Sequence, residues 1–358
     1  MRSKRRDFCL YRPAAKRLCR YLANALIVVL VATAGAAPGL GDSALGRYPE
    51  RVYVPNTKAN TLQIIDPKTF EIIATHKTDK MPHHVTPSWD LSALYVNNTV
   101  GNSLTVLDPA TGNVTGRIPV DDPYNLYFTP DGRYAVVVAE RMKQLHFRDR
   151  KSWKMVKSVP IPQAGANHLA FSRGGAYLVV STEFSGWLIK VDLTRLEVAA
   201  EMEVGGEPVD VVRPAGQNLM FVANEAKGGV HVIDPDKWEN LGFIATGKDA
   251  HGILPSIDRK RLFVSNRLAG TMSVIDVATR KVTETWKTGG SPDMGQLSPD
   301  GKQIWISNRY HNDVRVIDTT TGKVIKKIPT DAGPHGLTYF PNSRAAYSVG
   351  HNGVYVED

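Results

Sequence analysis

From about residue 51 onward, apolar and polar positions alternate in short runs broken by turn residues, and no helical period appears. The stretch beginning at Ala250 is typical. His251-Gly252-Ile253-Leu254 reads as a short apolar strand and residues 256–260 as a polar turn. Residues 261–265 read as a second strand, turned by residues 266–270. Thr271-Met272-Ser273-Val274-Ile275-Asp276 alternates in the manner expected of a half-buried third strand. Residues 281–286 form a more polar outer strand, and Gly289-Gly290 leads into the next unit. Pro-Asp-Gly at 130–132 and 299–301 marks turns, because proline presets φ and glycine accepts a positive φ.

This unit recurs. Asp66, Asp108, Asp149, Asp192, Asp234, Asp276 and Asp318 are separated by 42, 41, 43, 42, 42 and 42 residues, most of them closing a phrase such as Val-Ile-Asp. Repeated small sheets cannot bury their faces alone and must stack. Four-stranded units of this length in radial array predict an all-β fold, a β-propeller. Inner strands begin near His83, Tyr124, His168, Val209, His251, Asp293 and His335, which gives seven. Residues 345–349 and 354–356 add an eighth candidate second strand. Seven blades, closed by pairing the N-terminal strands with the strand at His335, is the expected arrangement. Eight blades with incomplete terminal units is the alternative.

The second strands end in Tyr53-Val54-Pro55-Asn56, Tyr95-Val96-Asn97-Asn98, Phe221-Val222-Ala223-Asn224, Phe263-Val264-Ser265-Asn266 and Trp305-Ile306-Ser307-Asn308. Together with Val-Ile-Asp and Ser/Thr-Pro-Asp-Gly, these endings resemble the YVTN-type propeller repeat over residues 51–358. Ala139-Glu140-Arg141 and Ser181-Thr182-Glu183 depart from it. The resemblance implies a propeller. It leaves function open among surface-layer modules, periplasmic binding proteins and relatives of redox-cofactor propellers.

The formal net charge of +9 is unevenly placed. Residues 1–20 hold eight basic side chains against Asp7 alone, which leaves +2 for the remaining 338 residues. No nucleic-acid partner is expected of such a remainder. An apolar run, 22–32, follows the basic stretch and ends in the small residues 33–37. This layout reads as a secretory signal over 1–37, with 38–50 a linker and 51–358 the propeller. A retained N-terminal anchor is the alternative, although the run is short for a full span, and no other membrane contact is expected. A periplasmic or secreted location follows. Cys9 and Cys19, the two cysteines, both lie in the signal segment, so the remainder has no thiolate for a nucleophile, an iron–sulfur cluster or copper.

In a propeller the first residues of each inner strand, and the turn after each second strand, face one channel mouth. Aligned on the repeat, the entry position carries His83, Tyr124, Asn167, Val209, His251, Asp293 and His335. The next position carries His84, Asn125, His168, Asp210, Gly252, Met294 and Gly336. Imidazoles beside a carboxylate and a thioether make a ligand set for copper, zinc or iron, and would also suit haem. His83, His84, His168, His251, Asp293 and His335 are therefore the candidate metal ligands. The chain is similar in this respect to the propellers of nitrous oxide reductase and the haem-d domain of cytochrome nitrite reductase, but no CxxCH is present for an attached haem. In YVTN-type repeats, Pro-His-Gly at this place also occurs without a known metal, so the resemblance equally allows histidines that merely brace neighbouring blades. His76, His146, His231, His311 and His351 lie elsewhere in the repeat and read mostly as surface residues.

The turn after the second strand supplies another ring, Thr57, Thr99, Arg141, Glu183, Glu225, Arg267 and Arg309. Of these, Arg141, Glu183, Glu225, Arg267 and Arg309 could pin a polar ligand, arginine forks suiting carboxylate or phosphate, or they could pair with one another between blades. There is no G-x-S-x-G, P-loop, H-E-x-x-H or GxGxxG. The leading expectation is an exported, non-catalytic propeller that binds a ligand or protein at its mouth. A metal- or haem-dependent oxidoreductase or cofactor carrier is the alternative. Lactone or ester hydrolysis at a bound metal is a third reading, with Asp210 and Asp293 as its only obvious channel carboxylates.

Overall fold

The computed structural model describes residues 46–342. The signal segment, both cysteines and the candidate strands at 345–349 and 354–356 lie outside them. Among the described residues no helix is long and apolar enough to cross a membrane. The repeat folds as predicted: among the described residues 28 strands, β1 to β28, make seven four-stranded antiparallel sheets, with a single turn of 3-10 helix. Seven blades, not eight, form the ring. In the unit read above, β20 (Ala250–Pro255), β21 (Arg261–Asn266), β22 (Thr271–Asp276) and β23 (Lys281–Lys287) fall where the alternation placed them.

Six blades are built from consecutive strands, but the first is shared between the two ends. Strand β28 (Thr338–Phe340) pairs antiparallel with β1 (Arg51–Asn56), Tyr53 opposite Thr338 and Arg51 opposite Phe340. This is the expected closure. The two ends also reach the second blade. Gly336 N donates to His83 O at 3.0 Å, and Val85 N donates to Gly336 O at 3.2 Å, so the segment ahead of β28 lies against β4 (Pro82–Pro87).

Each recurring aspartate is a turn device. Asp108 Oδ1 accepts from Ala110 N at 2.8 Å, Asp276 Oδ1 from Thr279 N at 2.7 Å and Asp318 Oδ1 from Thr321 N at 2.7 Å. The side chain thereby imitates a backbone turn between third and fourth strands. The asparagines ending the second strands have a different task. Asn266 Nδ2 donates to Thr271 Oγ1 and Ser273 Oγ, both at 3.0 Å, and Asn98 Nδ2 does the same to Ser103 and Thr105.

Those bonds correct one expectation. Thr271–Asp276 is not half-buried: its middle four residues are all inaccessible, Ser273 included. Blades stack face to face, so second and third strands are covered on both sides, and a polar side chain there must be satisfied internally. The apolar clusters sit between adjacent blades. One joins Tyr127, Val136 and Phe147 of the third blade to Leu169, Val180 and Ile189 of the fourth. Only the outer strands meet solvent, as the alternating exposure of β3 (Ile72–Lys77) illustrates. His146 and His231, expected at the surface, are buried for the same reason, on third strands β10 (Gln144–Asp149) and β18 (Gly229–Asp234). His146 is paired with Gln144 and His231 with Asn240.

Candidate functional site at the channel mouth

The inner strands deliver the entry positions to one place. His83 stacks on His335 with ring centroids 4.0 Å apart, and His84 lies edge-on to both at 4.8 and 5.0 Å. His168 is 5.0 Å from His84 on one side, and His251 is 6.0 Å from His335 on the other. Tyr124 closes over His83 at 4.5 Å. All five histidines are buried. Asp293 is inaccessible too, its Oδ1 2.9 Å from His251 Nε2 and its Oδ2 3.6 Å from His335 Nε2.

Charge divides this cluster in two. On one side, Arg267 reaches Glu225 at 2.7 Å, Asp249 at 2.8 Å and Asp293 at 3.5 Å. His251 lies between Glu225, 2.5 Å from its Nδ1, and Asp293. Burial and the Arg267 charge both oppose a proton on His251, yet Asp293 and Glu225 outweigh them and hold its pKa up, at about 9. Burial alone would raise the Asp293 carboxyl, but His251 and the two arginines 267 and 309 hold it below the usual range. This half is an ionic network of cations and carboxylates, held by charge even where His251 Nε2 and the Asp293 oxygens lack a well-aligned hydrogen bond.

On the other side His83 and His335 are held neutral. Burial, reinforced by the Arg309 charge, depresses His83 well below 6.5, and burial with His83 and Arg309 does the same to His335. His83 Nδ1 and both ring nitrogens of His335 are buried without a hydrogen-bond partner. Candidate donor atoms of His83, His84 and His335 lie within 4.8 Å of one another, as do those of His251, Asp293 and His335. Tetrahedral coordination at about 2.0–2.1 Å would bring nitrogens to about 3.4 Å, so modest ring rotations separate the first trio from a metal shell. His168 is placed at its margin, its Nδ1 3.1 Å from Asn125 Nδ2, 3.2 Å from the Tyr127 hydroxyl and 3.7 Å from Asp210. Gly336 permits the arrangement, since a methyl group there would overlap the His84 ring.

The second predicted ring is only partly assembled. Glu225 and Arg267 join the ionic network above. Glu183 accepts from Asn167 Nδ2 at 2.5 Å, and burial together with the Glu225 charge pushes its pKa up to about 7. Arg141 turns away, its Nε on Asp122 Oδ1 at 2.6 Å and an Nη on Thr99 O at 2.8 Å. Asp122 and Asp249 occupy the same position of the repeat, ahead of the inner strand, and each holds its blade's arginine. Before Arg309 that position is Ser291, so its charge, half exposed, bears on His83, His335 and Asp293. Sequence reasoning missed Asp249 and Tyr127. The signal for Tyr127 was there: it stands where other inner strands carry Thr86, Ala170, Val212 and Thr338.

No curated protein matches the chain significantly in sequence. Solved structures share the fold at low identity. The Pseudomonas aeruginosa periplasmic gluconolactonase PpgL is 17% identical, over 81% of this chain and 98% of that one, with a TM-score of 0.69. Dihydro-heme d1 dehydrogenase NirN, in complex with DHE, is 16% identical over 81% of this chain and 75% of its own, at a TM-score of 0.64. Apo AztD from Citrobacter koseri is 11% identical, over 80% and 96%, at 0.61. These likenesses establish the architecture. The model of the YNCE-like beta-propeller family matches residues 11–343, and the chain belongs to that family.

Proposed function

We propose that this protein is an exported, non-catalytic propeller that binds one transition-metal ion of the zinc or copper class at its channel mouth, through His83, His84 and His335. The observation that carries the reading is the trio itself. Three buried imidazoles converge, two of them kept neutral by burial, with partnerless nitrogens on His83 and His335. Neutral imidazole is the form that binds metal, and unsatisfied buried nitrogens cost free energy unless a ligand takes them up. A carrier role fits better than turnover, because the nearest carboxylates are already engaged. Asp293 is held by His251 and Arg267, and Asp210 Oδ2 accepts from Ile253 N at 2.8 Å. That engagement also weighs against lactone hydrolysis. Rings packed at 4.0–5.0 Å favour an ion over a haem macrocycle. Export is supported by the basic and apolar N-terminal segment.

Metal analysis of protein purified from its native compartment, followed by zinc and copper titration, tests the reading. One tightly held ion per chain is expected, lost in the double variant His83→Ala, His335→Ala. Absence of metal at every loading, or an ion retained by that variant, returns the protein to the class of propellers whose histidines only brace the blades.

A further inference from the structure

The residue after the mouth-facing ring forms a ring of its own. Val100, Met142, Phe184, Ala226, Leu268 and Tyr310 stand 42 residues apart, and Lys58 fills the seventh position. All seven are exposed. Phe184, Leu268 and Tyr310, at 65%, 60% and 52%, are the three most exposed large apolar side chains among the described residues. Each sits at the tip of the turn between second and third strands, one residue beyond a side chain that reaches the inner strands. The tips thus encircle the opening above the histidines. Two of them are held in place: the Phe184 ring lies against the backbone of Gly165, and the Arg267 guanidinium sits 5.7 Å from the Tyr310 ring centre.

A soluble fold gains nothing from six apolar tips in one annulus, and exposed apolar groups gathered around an opening mark a contact surface. The charge beside them is basic. Lys58, Lys80, Lys143 and Lys248 are exposed on the mouth loops, against exposed Asp121 and Glu207. We infer that this annulus is a docking surface for an acidic protein partner, whose apolar side chains seat on the tips while its carboxylates meet the lysine rim.

Charge argues against a second copy of this chain, since two such faces would oppose like with like. A bilayer fits poorly, because Glu183 and Arg309 stand next to the tips on the inner side of the annulus and hydrocarbon would seal them away from water. Single-stranded nucleic acid would need stacking platforms, whereas Val100, Met142 and Leu268 offer none. A polypeptide can follow both the apolar rim and the polar centre. The inference goes beyond metal binding and does not depend on it.

The test uses the mature chain and a random peptide display library. Enriched peptides should combine acidic with apolar residues and should bind less tightly as salt is raised. They should bind about tenfold more weakly to Phe184→Ser, Leu268→Ser and to Lys143→Glu, Lys248→Glu. The outer-edge control Ile73→Ser, Ile325→Ser should bind as the parent does. No enrichment, basic peptides, or equal binding to all three variants overturns the inference. So does self-association through this face, or binding of phosphatidylglycerol vesicles or a single-stranded oligonucleotide that is lost in the annulus variants.

Discussion

His83 and His335 stack with their planes 20° apart although they stand at opposite ends of the described chain, in the second and first blades. The backbone enforces the meeting. Gly336 N bonds to His83 O, and His335 N bonds to Pro55 O at 3.0 Å, so the closing segment is fixed both by β1 of its own blade and by β4 of the next. The imidazoles are therefore held by main-chain bonds of three strands, and depend little on their own contacts.

Their neutrality has a pH consequence. Burial chiefly, with Arg309, depresses both below the unfolded value of about 6.5. Below that pH the unfolded chain binds more protons than the folded one. The stability they contribute is thus whole above about 6.5 and lost as pH falls. The urea midpoint of the parent should decline with acidification relative to His83→Gln, His335→Gln. A difference between the two proteins that is independent of pH would refute this assignment.

Glu183 works in the opposite sense. Its folded pKa of about 7 exceeds the unfolded 4.5, so its contribution is complete below 4.5 and disappears as pH rises through 7. Glu183→Gln should flatten that limb of the Tm–pH curve and leave the histidine limb intact. Thermal scans across pH 4 to 8 decide it.

Gly336→Ala is predicted to weaken metal binding while deleting no ligand, because the added methyl group meets the His84 ring. The ring must rotate out or the strand must shift. Zinc affinity should fall about tenfold or more, with circular dichroism unchanged. Affinity equal to the parent's would show that His84 is not a ligand.

Arg267→Met removes one cation from among Glu225, Asp249 and Asp293, three carboxylates that are all buried. Leaving paired charges alone in the interior costs about 3–5 kcal/mol, and chemical unfolding should show a loss of that order. A loss below about 1 kcal/mol, the surface-pair range, would mean that water reaches the network.

Asn266→Ala isolates the second-strand asparagine. Its amide serves Thr271, Ser273 and, as acceptor, Thr246 Oγ1 at 2.8 Å, the Ser273 bond fully buried and the other two partly so. About 2 kcal/mol of destabilisation is expected from the partners left unsatisfied. An unchanged urea midpoint would contradict it.

The repeat period made much of this legible. A spacing near 42 residues implied stacked sheets, and stacking implied that His83, His84, His168, His251 and His335 would converge, which they do. Local alternation was less informative wherever a second layer covers the strand. Ser273 and His231 look solvent-facing by pattern and are sealed by the neighbouring blade. Direction was not legible at all. Arg141 and Arg267 share a repeat position and each holds the aspartate ahead of its own inner strand, yet only Arg267 also reaches into the channel, where Glu225 of the fifth blade and Asp293 of the seventh stand beside it. Nor could spacing separate the protonated His251 from the neutral His83, a difference set by Glu225 and Asp293 through space.

The pairing of Thr338–Phe340 with Arg51–Asn56 has a consequence for biogenesis. Synthesis from the amino end delivers β1 long before β28 arrives. Until β28 emerges, one edge of the first sheet stays open and available to strangers. Strand β28 thus acts as the latch on assembly, and its deletion should yield aggregation rather than a slightly smaller ring.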